Sequence, residues 1–149
     1  MELRPFESED WGAVCEIYDC SKPDELRGVV EPGAILPLDA DPAMKALFRD
    51  SRIVVTENAG RIIGFAGNRD SFITWLFVHP ASRRKGVATA MVRQLLGQLE
   101  GTVTLNVMKG NIAALALYQS LGFALEREFP GNFQGIPCTV ARLRHETAA

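Results

Sequence analysis

The segment Arg83-Arg84-Lys85-Gly86-Val87-Ala88-Thr89 has the composition of an anion site. It follows an apolar run that ends at Val78 and a proline at 80, and it leads into a stretch with helical periodicity. Unpaired backbone N–H groups at such a helix start carry about half a positive charge and point out of the helix end. Gly86 and Ala88 let a ligand approach the backbone closely, and three adjacent basic side chains add full charge where dipole logic usually places acids. Without a ligand the same triplet would be a solvated basic turn. The segment is neither a P-loop, which needs GK[ST], nor a GxGxxG turn. A second group lies further on: Asn111, Ala114 and Tyr118 fall at i, i+3 and i+7 of an apolar helical run and share one face, with Asn111 and Tyr118 about 10 Å apart along the axis. Read blandly, Asn111 is an N-cap and Tyr118 a core residue with a satisfied hydroxyl.

These groups must be positioned by a mixed α/β fold. An extended start (2–6) precedes a helix capped by Ser8, with Trp11, Val14, Cys15 and Tyr18 on one face. Residues 21–43 carry six Pro or Gly residues (Pro23, Gly28, Pro32, Gly33, Pro37, Pro42) and read as a long loop, too apolar at Val29, Val30, Ile35, Leu36 and Leu38 to be disordered. Asp41-Pro42 starts a short helix with Met44, Leu47 and Phe48 inward. Strands at 52–57, 61–68 and 72–78 form an antiparallel meander. An amphipathic helix carries Ala88, Met91, Val92, Leu95, Leu96 and Leu99 on one stripe. A strand at 102–107, a helix at 111–121 and strands at 123–129 and 136–143 follow. The β-α-β passage from 72 to 107 makes its two strands parallel neighbours, with ligands expected beyond their carboxyl ends. Residues 1–143 thus form one domain, and 144–149 read as a frayed tail.

The chain has 149 residues, 47% hydrophobic and 23% charged, with 16 basic against 18 acidic residues. That balance excludes a nucleic-acid-binding surface spread over the whole chain and a polybasic membrane anchor, so any anion site must be local. No run of about 18 apolar residues could span a bilayer, and the first residues lack the pattern of a signal peptide. Cys15, Cys20 and Cys138 have no metal-ligand spacing, no metal is expected, and a reduced cytoplasmic setting fits.

Arg83-x-x-Gly86-x-Ala88 after FVHP resembles the pyrophosphate signature R/Q-x-x-G-x-G/A of the GCN5-related N-acetyltransferases (GNAT family), and LNVMKGNIAALALYQSLGF resembles their later helix at Asn111, Ala114, Tyr118, Gly122 and Phe123. The likeness covers roughly residues 52–143. It implies a mostly antiparallel sheet of about seven strands flanked by about four helices, with a splayed parallel pair at its centre; no Gly or Pro within 72–78 marks the bulge that the family has there. It also implies acetyl-CoA as co-substrate. The diphosphate would sit on residues 83–89, the pantetheine arm on the backbone of Phe77 and Val78, and Asn111 would bond that arm where Ala114 leaves room. Asn106 could line the same wedge. The chemistry is direct attack of an amine of a small molecule or peptide on the thioester, in a ternary complex. The Val78 N–H would meet the oxyanion, and the Tyr118 hydroxyl, with an ordinary pKa near 10, would protonate the departing thiolate. A base is harder to name, because Phe72 stands where histone-acetylating relatives carry a glutamate. Asp70, Thr74 through a water, and Glu57 are candidates, and an acceptor already neutral needs none.

The acceptor pocket is expected between the 21–43 loop, the strand at 72–75 and a hairpin loop at 130–135. Seven acids (Asp19, Asp24, Glu25, Glu31, Asp39, Asp41, Asp50) against four bases (Lys22, Arg27, Lys45, Arg49) between 19 and 50 slightly favour a cationic amine, and the apolar run in the same loop argues equally for a hydrophobic acceptor. The alternatives are a non-catalytic acyl-CoA-binding or sensing domain and, less well supported, a nucleotide-binding module. Homodimers occur among the look-alikes, and no sequence feature decides it.

Overall fold

The chain lays down seven strands, β1 (Leu3–Pro5), β2 (Arg52–Asn58), β3 (Arg61–Arg69), β4 (Phe72–Val78), β5 (Thr102–Met108), β6 (Ala124–Phe133) and β7 (Ile136–Glu146). Near-continuous apolar runs, buried on both faces, make the central strands, and alternating patterns make β5 and β7. The computed structural model describes residues 2–146. The strands form one sheet in the order β1-β2-β3-β4-β5-β7-β6, with β4 and β5 parallel and the other neighbours antiparallel. The helices are α1 (Trp11–Glu25), α2 (Pro42–Arg49), α3 (Val87–Gln98) and α4 (Ile112–Ser120). This is the mixed, mostly antiparallel architecture expected from the sequence. No helix among the described residues is long and apolar enough to cross a membrane.

Two apolar clusters sandwich the sheet. Met91, Val92 and Leu95 of α3 and Tyr118 of α4 pack with Leu105 and Phe123 on one face. Val14, Ile17 and Tyr18 of α1 and Phe48 of α2 pack with Phe65 and Trp75 on the other. In a regular strand Ile73, Trp75 and Phe77 would share a face. Here Ile73 belongs to the first cluster while Trp75 and Phe77 belong to the second. The cause is a β-bulge: Ile73 pairs with Asn68 and Trp75 with Gly67, leaving Thr74 as the extra residue on β4. Its marker in the sequence is on the partner strand. A Cβ on Gly67 would lie 2.5 Å from Ile53 Cδ1, 3.0 Å from the Arg52 carbonyl oxygen and 3.2 Å from Trp75 Cδ1.

Four local readings are corrected. Ser8 does not cap the first helix; it opens a 3-10 turn (Ser8–Asp10), and Asp10 instead accepts from the Glu7 N–H at 2.8 Å and is gripped by Arg4. The loop expected from residue 21 begins after Glu25, because α1 runs through Pro23. A proline there removes one helical bond, and the buried Ser21 and Lys22 anchor the turn regardless. The hairpin loop expected at 130–135 is only a turn at Gln134-Gly135, since β6 pairs with β7 as far as Phe133–Ile136. Residues 144–146 are not a tail: they extend β7 against β5, Thr102 facing Glu146, and of the expected tail 147–149 lie outside the described residues.

Candidate active site

The bulge opens the site. β4 and β5 pair only at Phe72–Thr104 and Ile73–Leu105, and beyond Thr74 they diverge. The gap is part of a cleft of ≈ 850 Å³ that reaches from Trp75 and Val78 past Asn106 to Arg84, Ala88 and the α4 face at Asn111, Ala114 and Tyr118. Backbone directions along its β4 edge follow from one bond. The His79 N–H donates to the Ile63 carbonyl at 2.8 Å, so the facing pair Gly64–Val78 is of the non-hydrogen-bonded kind. The N–H and C=O of Val78 therefore point away from β3 into the gap, where the carbonyl accepts from Ser21 Oγ at 3.0 Å. By the same alternation the Phe77 backbone faces β3. The backbone expected at Phe77 to meet an extended arm is therefore turned toward β3, and Leu76, which also lines the cleft, is the next residue back whose backbone faces the gap, as strand periodicity counted from Val78 gives.

At the far end, α3 begins at Gly86 with φ 76° and no side-chain cap, and its first turn holds no acid. By contrast, Asp41 caps α2 and Asn111 caps α4. The first N–H groups of α3 are thus left for a ligand, and left-handed φ at both Arg84 and Gly86 gives the loop the shape of an anion-cradling turn. The basic triplet does not act as one unit. Arg83 is tied to Asp24 at 2.5 Å, and Asp24, also paired with Arg27, is held below its ordinary pKa mainly by Arg83. Lys85 and Arg84 are exposed, Thr89 is half-buried, and the Val87 side chain is buried in the core, so Val87 has only its N–H to offer. The donor set suits a diphosphate.

On α4, Asn111 Oδ1 accepts from the Ala114 N–H at 3.2 Å, so Asn111 is a cap that also lines the cleft. Tyr118 is 7% exposed and packs edge-on against Phe123. Its hydroxyl is pushed well above its ordinary pKa, by burial first and then by the Glu25 carboxylate. It stays protonated at neutral pH and above. Gly122, at φ 96°, ends the helix.

Of the sequence-based base candidates, the two carboxylates lie outside the cleft. Glu57 is paired with Arg4 at 2.7 Å and lies outside the cleft. Asp70 sits in the β3–β4 turn, also outside it. Thr74 lines the cleft with its hydroxyl 2.9 Å from that of Ser51. Phe72 lies under the Arg142 guanidinium, which also donates to Asn106. The cleft's carboxylates are Asp24 and Glu25, and Asp24 is spent on two arginines. Glu25 has one partner, Lys22, at 3.1 Å. Pro23 had hidden both residues inside an apparent loop. Of the seven acids between 19 and 50, Asp24 and Glu25 line the cleft, whereas Asp19 accepts from the Leu38 N–H, Asp39 pairs with Trp11 and Lys45, and Asp41 caps α2.

The model of the Acetyltransferase (GNAT) family matches residues 11–123. Human cysteine-rich protein 2-binding protein is 47% identical over 58 residues, which are 38% of this chain and 7% of that protein, so the chain matches a small part of its curated relative. A GCN5-related N-acetyltransferase structure from Rhodopseudomonas palustris superposes with a TM-score of 0.81 at 17% identity, over 97% of this chain and 94% of that one. YncA of Salmonella typhimurium, solved with its cofactor acetyl-CoA, gives 0.71 at 19% identity, over 100% and 95%.

Proposed function

Because the chain belongs to the GNAT acetyltransferase family, we propose that it transfers the acetyl group of acetyl-CoA to a primary amine of a small molecule or peptide, by direct attack in a ternary complex. The observation that carries this reading is the gap beyond Thr74, which brings a strand-edge N–H, a protonated tyrosine and an uncapped helix start into one cleft.

When bound, acetyl-CoA supplies a thioester carbonyl and a thiolate leaving group. The N–H groups of Val87, Ala88 and Thr89, with Arg84 and Lys85 nearby, hold its diphosphate. Arg83 acts chiefly through Asp24, fixing the cradle to the end of α1. Leu76 and Val78 offer backbone groups to the pantetheine amides as a partner strand would, and Ala114 leaves room opposite. As the amine bonds to the carbonyl carbon, the Val78 N–H donates to the oxygen that becomes negative. Glu25 takes the amine's proton. Tyr118 donates its own proton to the sulfur as the carbon–sulfur bond breaks; the transfer is uphill in water because the thiol's pKa is near 8.5, and burial of the departing thiolate, which raises its basicity, offsets this. An acid and a carboxylate held by a single cation, both facing one cleft, favour an enzyme over a binding-only domain. Three free cysteines support the cytoplasmic setting.

The test is calorimetric titration with acetyl-CoA together with free-thiol release across a panel of primary amines. Binding with amine-dependent release is expected. Binding without release across the panel would make the domain a sensor, and no binding would overturn the cofactor reading.

A further inference from the structure

Lys22 takes no step in the acetyl transfer described above, yet it is buried in the cleft lining at some cost. The residue is 8% exposed. Its ammonium lies 5.2 Å from the Phe133 ring centroid, 5.6 Å from that of Tyr18 and 5.7 Å from that of Phe77, so α1, β4 and the tip of β6 all converge on it. An ammonium has three N–H donors, and the bond to Glu25 Oε2 uses one. Among the described residues the other two meet ring faces and no oxygen. The aromatic wall beside it holds a further unspent donor: Trp75 Nε1 is buried without a partner among the described residues. Buried donors left unspent are expensive, and what this end of the cleft lacks is an acceptor, best an anion.

The balance of charge narrows the choice. Lys22 and Glu25 cancel, and Arg27 and Arg83 are both engaged by Asp24. One aspartate offsets only one of two arginines, so the cleft keeps a positive surplus, which favours an acceptor carrying an anionic group beside its amine over one carrying a second cation. The spacing fits as well: a cation and a carboxylate 3.1 Å apart are the mirror of an amine and a carboxylate on adjacent atoms of one small molecule.

We propose that the amine acceptor is a free α-amino acid with an apolar side chain, its carboxylate on the two unspent Lys22 donors and its amine between Glu25 and the Val78 edge. Met44, Leu47 and Trp75 wall the same cleft and take the side chain. This rests on the transferase reading above and deepens it. It disfavours polyamines, whose second ammonium would meet Lys22, and peptide N-termini, whose α-carboxyl is an amide. In the reaction the amino nitrogen bonds to the acetyl carbon, its proton passes to Glu25, and the carbon–sulfur bond breaks to give free CoA thiol and the N-acetyl amino acid.

The experiment compares L-methionine, L-leucine and L-phenylalanine with the corresponding decarboxylated amines and amino-acid amides, following thiol release from acetyl-CoA by wild type, Lys22→Met and Lys22→Arg. Expected is a kcat/KM for the acids about ten- to a hundredfold above their carboxylate-free analogues. Lys22→Met should remove that preference, Lys22→Arg should keep part of it, and the KM for acetyl-CoA should not change. Equal turnover of acids and analogues, or loss of both together in Lys22→Met with Lys22→Arg normal, overturns the proposal while leaving the transferase reading intact. Acetylation of other amines with no amino acid accepted does the same. No thiol release with any amine removes the transferase reading and this proposal with it.

Discussion

Substituting Gly67 by alanine would test whether the cleft exists because one residue has no side chain. Gly67 faces Trp75 at the register shift, and the new methyl would meet three atoms at once. Ile53 Cδ1, at 2.5 Å, is the tip of a flexible side chain and can swing. The Arg52 carbonyl at 3.0 Å is backbone, and the Trp75 ring at 3.2 Å belongs to an indole only 2% exposed, so neither yields freely. Overpacking of this size costs about 1–3 kcal/mol. For a chain of this length each kcal/mol moves Tm by about 2–4 °C, giving a fall of roughly 2–12 °C. Because Trp75 follows the bulged Thr74 directly, the displacement should also narrow the gap, so acetyl-CoA affinity and turnover should fall with Tm. Adding Ile53→Val removes the nearest contact but not the other two. In a double-mutant cycle it should recover part of the stability and little of the affinity. The measurements are thermal unfolding by circular dichroism and calorimetric titration with acetyl-CoA. A Gly67→Ala protein with wild-type Tm and affinity would refute the reasoning.

Three further outcomes follow from the same geometry. Tyr118→Phe should lower kcat by about a hundredfold or more with acetyl-CoA affinity near wild type, and equal turnover would remove Tyr118 from the acid role. Gly86→Glu should abolish acetyl-CoA binding, since it forces a side chain into φ 76° and puts negative charge at the uncapped start of α3; unchanged affinity would mean the cradle lies elsewhere. Burial raises the pKa of both Tyr18 and Tyr118 in the fold, while the unfolded tyrosines ionise near 10. The unfolded state therefore loses protons first, and stability should fall as the pH rises above about 10. A urea midpoint that stays flat from about pH 8 to about pH 11 would contradict this.

What could be read from the sequence was local. The order of strands and helices follows from apolar periodicity, and the basic, glycine-containing start of α3 and the Asn111-Ala114-Tyr118 face are each contiguous or one helix long. Their chemistry is set by neighbours along the chain, so residue type and spacing were enough. The acceptor side was not local. Whether a carboxylate can act as a base depends on which cations reach it: Arg27 on Asp24 and Lys22 on Glu25 are neighbours three residues apart, but folding alone brings Arg4 to Glu57 and Arg83 to Asp24. Pro23 masked the last turn of α1 because a proline's missing N–H is visible in sequence, whereas the burial that tolerates it is not. The bulge at Thr74 left no mark on its own strand, since the space it needs is made by Gly67 on the neighbour. The cradle for an anion was therefore written along one segment, while the gap, the base and the buried ammonium arise only when α1, β3, β4 and β6 meet, because each depends on what a distant side chain leaves empty or unpaired.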